Sequence, residues 1–113
     1  MNKYNAQSKT VNGIKFSSKK EADRYCELKL LEQMGMIIDL TLQPRFRILD
    51  GFDYDGEHYR PINYTADFSY YDVEKSVLIV EEVKGHKTRD FVIRWKIMLN
   101  RFKDDDTILF KLI

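Results

Sequence analysis

Asp67 and, after fourteen intervening residues, the triplet Glu82-Val83-Lys84 are the residues of this chain whose types and spacing could do chemistry. Both sit in apolar, strand-like stretches, N-Y-T-A-D-F-S-Y-Y and V-L-I-V-E-E-V-K, joined by the polar turn Asp72 to Ser76. Alternation puts Tyr64, Ala66, Phe68 and Tyr70 on one face of the first strand and Thr65, Asp67 and Ser69 on the other. In the second strand Val77, Ile79, Glu81 and Val83 share a face, and Leu78, Val80, Glu82 and Lys84 share the opposite one. Glu82 and Lys84 then project side by side, roughly 6 to 7 Å apart along the strand. An unpartnered carboxylate in such a strand costs several kcal/mol to bury, so the strand either ends there in water or holds a metal and a substrate. Carboxylates plus a lysine are hard-oxygen chemistry, which selects Mg²⁺ or Mn²⁺ over softer metals. Glu81 beside Glu82 offers a second ligand, but parity favours Glu82, which shares the face of Lys84.

Other sets of chemistry-bearing residues point nowhere comparable. His58 and His86 have no paired ligand spacing with each other or with Cys26, which excludes a structural zinc site. Cys26 falls on the apolar side of a helical pattern and reads as a small core residue. Asp50, Asp53, Asp55 and Glu57 do not follow the alternate-position order of a calcium loop and read as a solvated turn. No glycine-rich phosphate loop is present.

The elements that must position the carboxylates follow from periodicity and turn residues. Residues 1–9 are polar and expected to be loosely held, and Asn12-Gly13 suits a type I′ turn between short strands. Ser17 or Ser18 caps a helix that ends at Gly35, with apolar positions Ala22, Tyr25, Cys26, Leu28, Leu31 and Met34. Ser18-Lys19-Lys20-Glu21 fits a capping box, so Glu21 reads either as a cap reaching back or as a further carboxylate of the site. The segment after Gly35 alternates as one half-buried strand, with Leu40, Leu42, Phe46 and Ile48 inward and Thr41, Gln43, Arg45 and Arg47 outward. Pro44 demands an edge or bulge there, leaving Gln43 as an exposed strand residue or as an amide aimed at a ligand. A hairpin or loop centres on Asp55-Gly56. Thr88 or Asp90 opens a second helix running to about Phe102, with Phe91, Trp95, Met98, Leu99 and Phe102 on one face and Arg94, Lys96 and Arg101 on the other. T-I-L-F-K-L-I is a last strand. The order α-β-β-β-α-β predicts an α/β fold with a mixed central sheet flanked by two helices.

At 113 residues, 43% of them hydrophobic, the chain supports a single domain, 1–113, around one core. The start lacks a signal-peptide core, a lone cysteine makes no internal disulfide, and no apolar run spans a bilayer, so a cytoplasmic protein without a membrane role is expected. The net charge of +1 conceals segregation: residues 1–29 carry +4, residues 30–83 carry −7 and residues 84–103 carry +6. An acidic centre between basic flanks is what a phosphate-binding surface around a carboxylate metal site needs, although ordinary solvated faces produce the same totals.

Asp67 with Glu82-Val83-Lys84, behind a helix glutamate, resembles the PD-(D/E)XK nuclease superfamily. The segments S-K-K-E-A-D-R-Y-C-E-L-K-L-L, L-Q-P-R-F, Y-R-P-I-N-Y-T-A-D-F and E-E-V-K-G are similar to a phage and prophage family of small PD-(D/E)XK endonucleases, over residues 11–113. Ala66 stands where many members have proline. The resemblance implies a restriction-endonuclease-like core and Mg²⁺-dependent (or Mn²⁺-dependent) hydrolysis of DNA phosphodiesters in a bacterial host, on branched, Holliday-junction-like DNA of phage recombination or replication. It implies that Asp67, Glu82 and the carbonyl of Val83 hold the metal, that Glu21 completes the site, and that Lys84 positions or deprotonates the water. Gln43, Lys20, Lys87, Arg94 and Arg101 are the expected DNA contacts, and cutting both strands calls for a homodimer. The alternative is a non-catalytic nucleic-acid-binding or regulatory module on the same fold.

Overall fold

Two left-handed residues make the first turn. The computed structural model describes residues 7–113, so residues 1–6 of the stretch expected to be loosely held lie outside the described residues. β1 (Lys9–Val11) already includes Lys9 and pairs with β2 (Ile14–Phe16) across Asn12 and Gly13, whose φ values of 51° and 78° are those of a type I′ turn. α1 (Lys19–Gln33) starts where the Ser18 hydroxyl accepts from the Glu21 N–H, and it ends before Gly35 at φ 75°. β3 (Ile37–Leu42), β4 (Arg45–Leu49), β5 (Phe52–Tyr54), β6 (Glu57–Tyr59), β7 (Ile62–Thr65), β8 (Phe68–Asp72) and β9 (Val77–Glu82) follow. α2 (Arg89–Phe102), capped by the Thr88 hydroxyl on the Phe91 N–H, leads into β10 (Ile108–Leu112).

The described residues form a mixed α/β fold. Its main sheet has the order β10-β9-β8-β3, parallel only between β9 and β10, which α2 connects as a crossover. α1 covers one face, with Ala22, Tyr25 and Leu28 packed against Phe68, Tyr70 and Ile79. α2 covers the other, with Phe91 and Met98 against Tyr64, Ile48 and Val80. The exposed hairpin β5–β6 turns through Asp55 and Gly56, again at positive φ. No helix among the described residues is long and apolar enough to cross a membrane.

Each of the two long strands expected from alternation is broken in the middle. Gln43, at φ 52°, and Pro44, which has no N–H to donate, separate β3 from β4, while Ala66 and Asp67 separate β7 from β8. Two bonds stitch the corner together, Gln43 N–H to the Asp67 carbonyl at 2.9 Å and Ala66 N–H to the Pro44 carbonyl at 3.0 Å. Beyond it β4 and β7 pair only with each other and leave the main sheet. The inward residues therefore do not share a face: Phe68 and Tyr70 enter the α1 core and Tyr64 and Ala66 the α2 core, as Leu40 and Leu42 part from Phe46 and Ile48. Three further expectations fail by angle. The buried arc of α1 centres on Tyr25, so Cys26, about 100° further round, is exposed; Met34, the C-cap residue about 180° round, is 62% exposed, and Leu99 lies at the rim of α2 with 38% exposure.

On the α1 face, Glu81 is fully buried and satisfied. Arg24 donates to both its oxygens, Nε to Oε1 at 2.7 Å and Nη2 to Oε2 at 2.5 Å, and the Tyr70 hydroxyl donates to Oε2 at 2.5 Å. Such a forked pair fixes α1 against β9, because loss of one partner strands a buried charge. Arg24→Ala is expected to lose about 3–5 kcal/mol in urea unfolding. A loss below about 1 kcal/mol, the size of an exposed pair, would show that the clamp does not hold the helix.

Candidate functional site

The corner leaves the end of β9 without its neighbour. Asp67 N–H still reaches the Glu81 carbonyl at 3.1 Å, but one residue later there is no strand for β9 to pair with on that side. The Asp67 side chain takes over: its Oδ2 accepts the Val83 N–H at 2.7 Å. A carboxylate bound to the backbone in this way is held in place by the fold itself.

Glu82 projects onto the α2 face of β9, as parity requires, and Glu81 onto the α1 face. Glu82 is 4% exposed; its Oε1 accepts from the buried Tyr64 hydroxyl. The Asp67 carboxyl is hydrogen-bonded to that of Glu82, and its pKa is pushed up to about 7. Burial is the main cause, followed by the bond to Glu82 and the negative charge of Glu82, while the Val83 N–H and Lys84 pull the other way. Lys84 follows on the same face, its Nζ 4.8 Å from the centroid of the Phe91 ring.

Glu21 lies on the first turn of α1, 7% exposed, and its Oε2 accepts from the Ser17 hydroxyl at 2.9 Å. The hydroxyl half of the capping box is formed, yet this carboxylate turns to Ser17 and shares with Asp67 a cleft of about 290 Å³. Ile14, Lys15 and Phe16 of β2 and Leu42 with Gln43 at the corner line its other sides. Burial first, then the charge of Asp67, raises the Glu21 pKa against the Ser17 bond and Lys84.

Asp67 and Glu82 are thus brought into contact, with Lys84 beside them, Glu21 in the shared cleft and Gln43 at its edge. Val83 contributes its N–H, to Asp67. The expected phosphate contacts on α2 are otherwise engaged. Arg94 donates from Nη1 to the Asn63 carbonyl at 3.0 Å and pairs with Asp90, and Arg101 reaches the Asp50 carboxylate at 3.4 Å. The i,i+4 spacing of Asp90 and Arg94 allows their pair, but nothing in the spacing pointed to Asn63 of β7 or to Asp50 in the loop before β5. Lys20 donates to the carbonyl of Ile113 at 2.9 Å, next to the Ile113 N–H bond to the Glu82 carbonyl, and Lys87 is exposed in the loop after β9. Lys15, Ser17 and Tyr64 are the site residues that sequence reasoning missed. Lys15 belongs to a short hairpin whose docking has no sequence signal, and alternation assigned Tyr64 to the core alone.

Among the described residues, no three or more His, Cys, Asp or Glu side chains converge closely enough to hold a metal ion. The donors that do meet, the Asp67 and Glu82 carboxylates, fit a hard cation of the Mg²⁺ kind, which binds through one or two carboxylates and keeps several waters. The pKa of Asp67 is raised first by burial and then by Glu82, and a dication between the two carboxylates would offset both.

The model of a family described as "Protein of unknown function (DUF1064)" matches residues 1–111. Neither the curated proteins nor the solved structures give a match.

Asp67 makes stability fall as pH rises in metal-free buffer. Its pKa is about 7 in the folded chain against an ordinary 3.8, so between those values the folded state keeps a proton that the unfolded state has released. The contribution is complete below the lower value and gone above the upper one. Urea midpoints are expected to fall between about pH 4 and pH 7 and to level off above it, and Asp67→Asn to remove most of that fall. Parallel curves for the two proteins would contradict the assignment.

Proposed function

The chain belongs to the DUF1064 family, and from its site we propose that it is a Mg²⁺- or Mn²⁺-dependent endodeoxyribonuclease of the PD-(D/E)XK type, built on a restriction-endonuclease-like core. The observation that carries the reading is the Asp67–Glu82 carboxylate pair at the end of β9 with Lys84 on the same face. Paired carboxylates and an ammonium group beside a cleft are the parts that phosphodiester hydrolysis needs. The substrate is already anionic, and attack on it requires positive charge at both water and phosphate.

Asp67 and Glu82 would hold the cation, with water filling the remaining positions. When bound, it supplies a lowered pKa for a coordinated water and neutralises charge on the phosphate. Asp67 is placed for this by the Val83 N–H, so its free oxygen is turned away from the backbone bond. Lys84 rests over Phe91, from where it can extend its ammonium to a water or a phosphate oxygen. Glu21 would support the site from the cleft wall, oriented by Ser17. Lys15 and Lys87 take the place of Arg94 and Arg101 as the proposed phosphate contacts, since the arginines already reach β7 and the loop before β5 and Lys20 donates to the Ile113 carbonyl. One site per chain calls for a two-fold dimer to cut both strands, on a branched substrate in the same reading.

Asp67→Asn separates cutting from binding. The variant is expected to lose Mg²⁺-dependent cleavage of plasmid and of a four-way junction. In chelator at pH 8 it should bind the junction at least as tightly as wild type, because one charge repelling phosphate is gone. That difference should shrink near pH 6, where Asp67 already carries a proton. Cleavage by the variant at the wild-type rate would overturn the active-site assignment. Mg²⁺-independent binding without cleavage by the wild type would instead favour the non-catalytic module.

A further inference from the structure

Tyr64 is set where a tyrosine costs more than a phenylalanine unless its hydroxyl is used. The residue is 6% exposed, on β7, the strand that leaves the main sheet. Its ring is enclosed from the α2 side, 6.3 Å from Phe91 and 6.0 Å edge-on from Trp95, and Trp95 in turn meets Phe110 of β10 edge-on at 6.1 Å. Arg94 fixes the backbone next to it by donating to the Asn63 carbonyl. The ring is therefore immobilised on every side that packing supplies. Only the hydroxyl points out of this apolar cluster, and it donates to Oε1 of Glu82.

The core needs the ring; it does not need the oxygen. Burying a phenol hydroxyl is tolerated only where a partner is met, and here the partner is one of the two carboxylates of the site. Glutamate is a long side chain with considerable rotamer freedom, and once Asp67 is ionised, as at pH 8, repulsion would swing an untethered Glu82 away from it. A donor fixed by α2 holds it in place.

We infer that Tyr64 is a positioning residue that holds the Glu82 carboxylate beside Asp67 in the orientation a divalent cation requires. The inference rests on the reading of Asp67 and Glu82 as the metal-holding pair. Tyr64 acts only as a donor. Burial, then the bond to Glu82 and the charge of Glu82, raise its pKa far above that of an ordinary phenol, so the proton stays on the tyrosine. The α1 side of β9 offers a matched control, because the Tyr70 hydroxyl donates to the Glu81 carboxylate in the same manner on the face opposite Glu82.

The test is a Mn²⁺ titration without DNA, followed by calorimetry at pH 8, on wild type, Tyr64→Phe and Tyr70→Phe, each shown to be folded by its near-ultraviolet circular dichroism. Loss of an orienting hydrogen bond to a metal-holding side chain weakens affinity by about 10- to 100-fold, and that rise in Kd is expected for Tyr64→Phe alone. Cleavage by this variant should recover substantially at saturating Mn²⁺, which a general loss of core packing would not allow. A Mn²⁺ Kd within about twofold of wild type for folded Tyr64→Phe would overturn the inference while leaving the metal site standing. A wild type that binds no Mn²⁺ would overturn both. Should Tyr64→Phe fail to fold, 3-fluorotyrosine placed at position 64 keeps the hydroxyl, and its ¹⁹F resonance is expected to shift on addition of Mg²⁺. An unmoved resonance at a Mg²⁺ concentration that supports cleavage would overturn the inference.

Discussion

The hydrogen bond from the Val83 N–H to the Asp67 carboxylate is the contact on which the site depends, and it exists because the sheet divides at that point. At the corner formed by Gln43, Pro44, Ala66 and Asp67 the ribbon of β3–β4 and β7–β8 crosses from one core to the other. A backbone donor at the end of β9 is thereby deprived of a ladder partner in a buried place, where an orphaned N–H costs about 1–3 kcal/mol. Asp67 satisfies it. The same act holds its carboxyl beside Glu82, so a structural need and a chemical arrangement are met by one side chain.

β9 divides two similar carboxylates by parity alone. Glu81 faces α1, where an arginine and a tyrosine match every demand of its charge, and it becomes part of the scaffold. Glu82 faces α2, where a tyrosine holds one oxygen and no cation pairs with it at ion-pair distance among the described residues. The first arrangement closes an electrostatic account within the chain. The second leaves negative charge crowded against Asp67, and that surplus is what makes the α2 face the chemically interesting one.

How much of this was legible in the sequence varies with the range of the interaction. Local rules read well: the Ser18 and Thr88 caps, the Asn12-Gly13 and Asp55-Gly56 turns, and the opposite faces of Glu81 and Glu82 all follow from neighbours in the chain. Pro44 announced an irregularity, but alternation of Tyr64, Ala66, Phe68 and Tyr70 runs unbroken through the corner. Nothing in period 2 says that the first pair and the second pair enter different cores. Arg94 and Arg101 looked free because Asn63 and Asp50, their partners, are 31 and 51 residues away. Lys15 and Ser17 joined the site through the docking of α1 and its preceding hairpin, which no local pattern encodes. The two-sided use of Tyr64, ring in the core and hydroxyl on Glu82, was hidden for the same reason.

The central claim is that the split in the sheet builds a cation site from Asp67 and Glu82. A crystal of the protein grown with Mn²⁺ and measured near the manganese absorption edge tests it most directly. The account predicts one strong anomalous peak in contact with both carboxylates, at the roughly 2.0–2.2 Å expected of hard-oxygen coordination, with water completing the shell. A peak at the β5–β6 hairpin acids alone, or carboxylates still hydrogen-bonded to each other at saturating Mn²⁺, would contradict it.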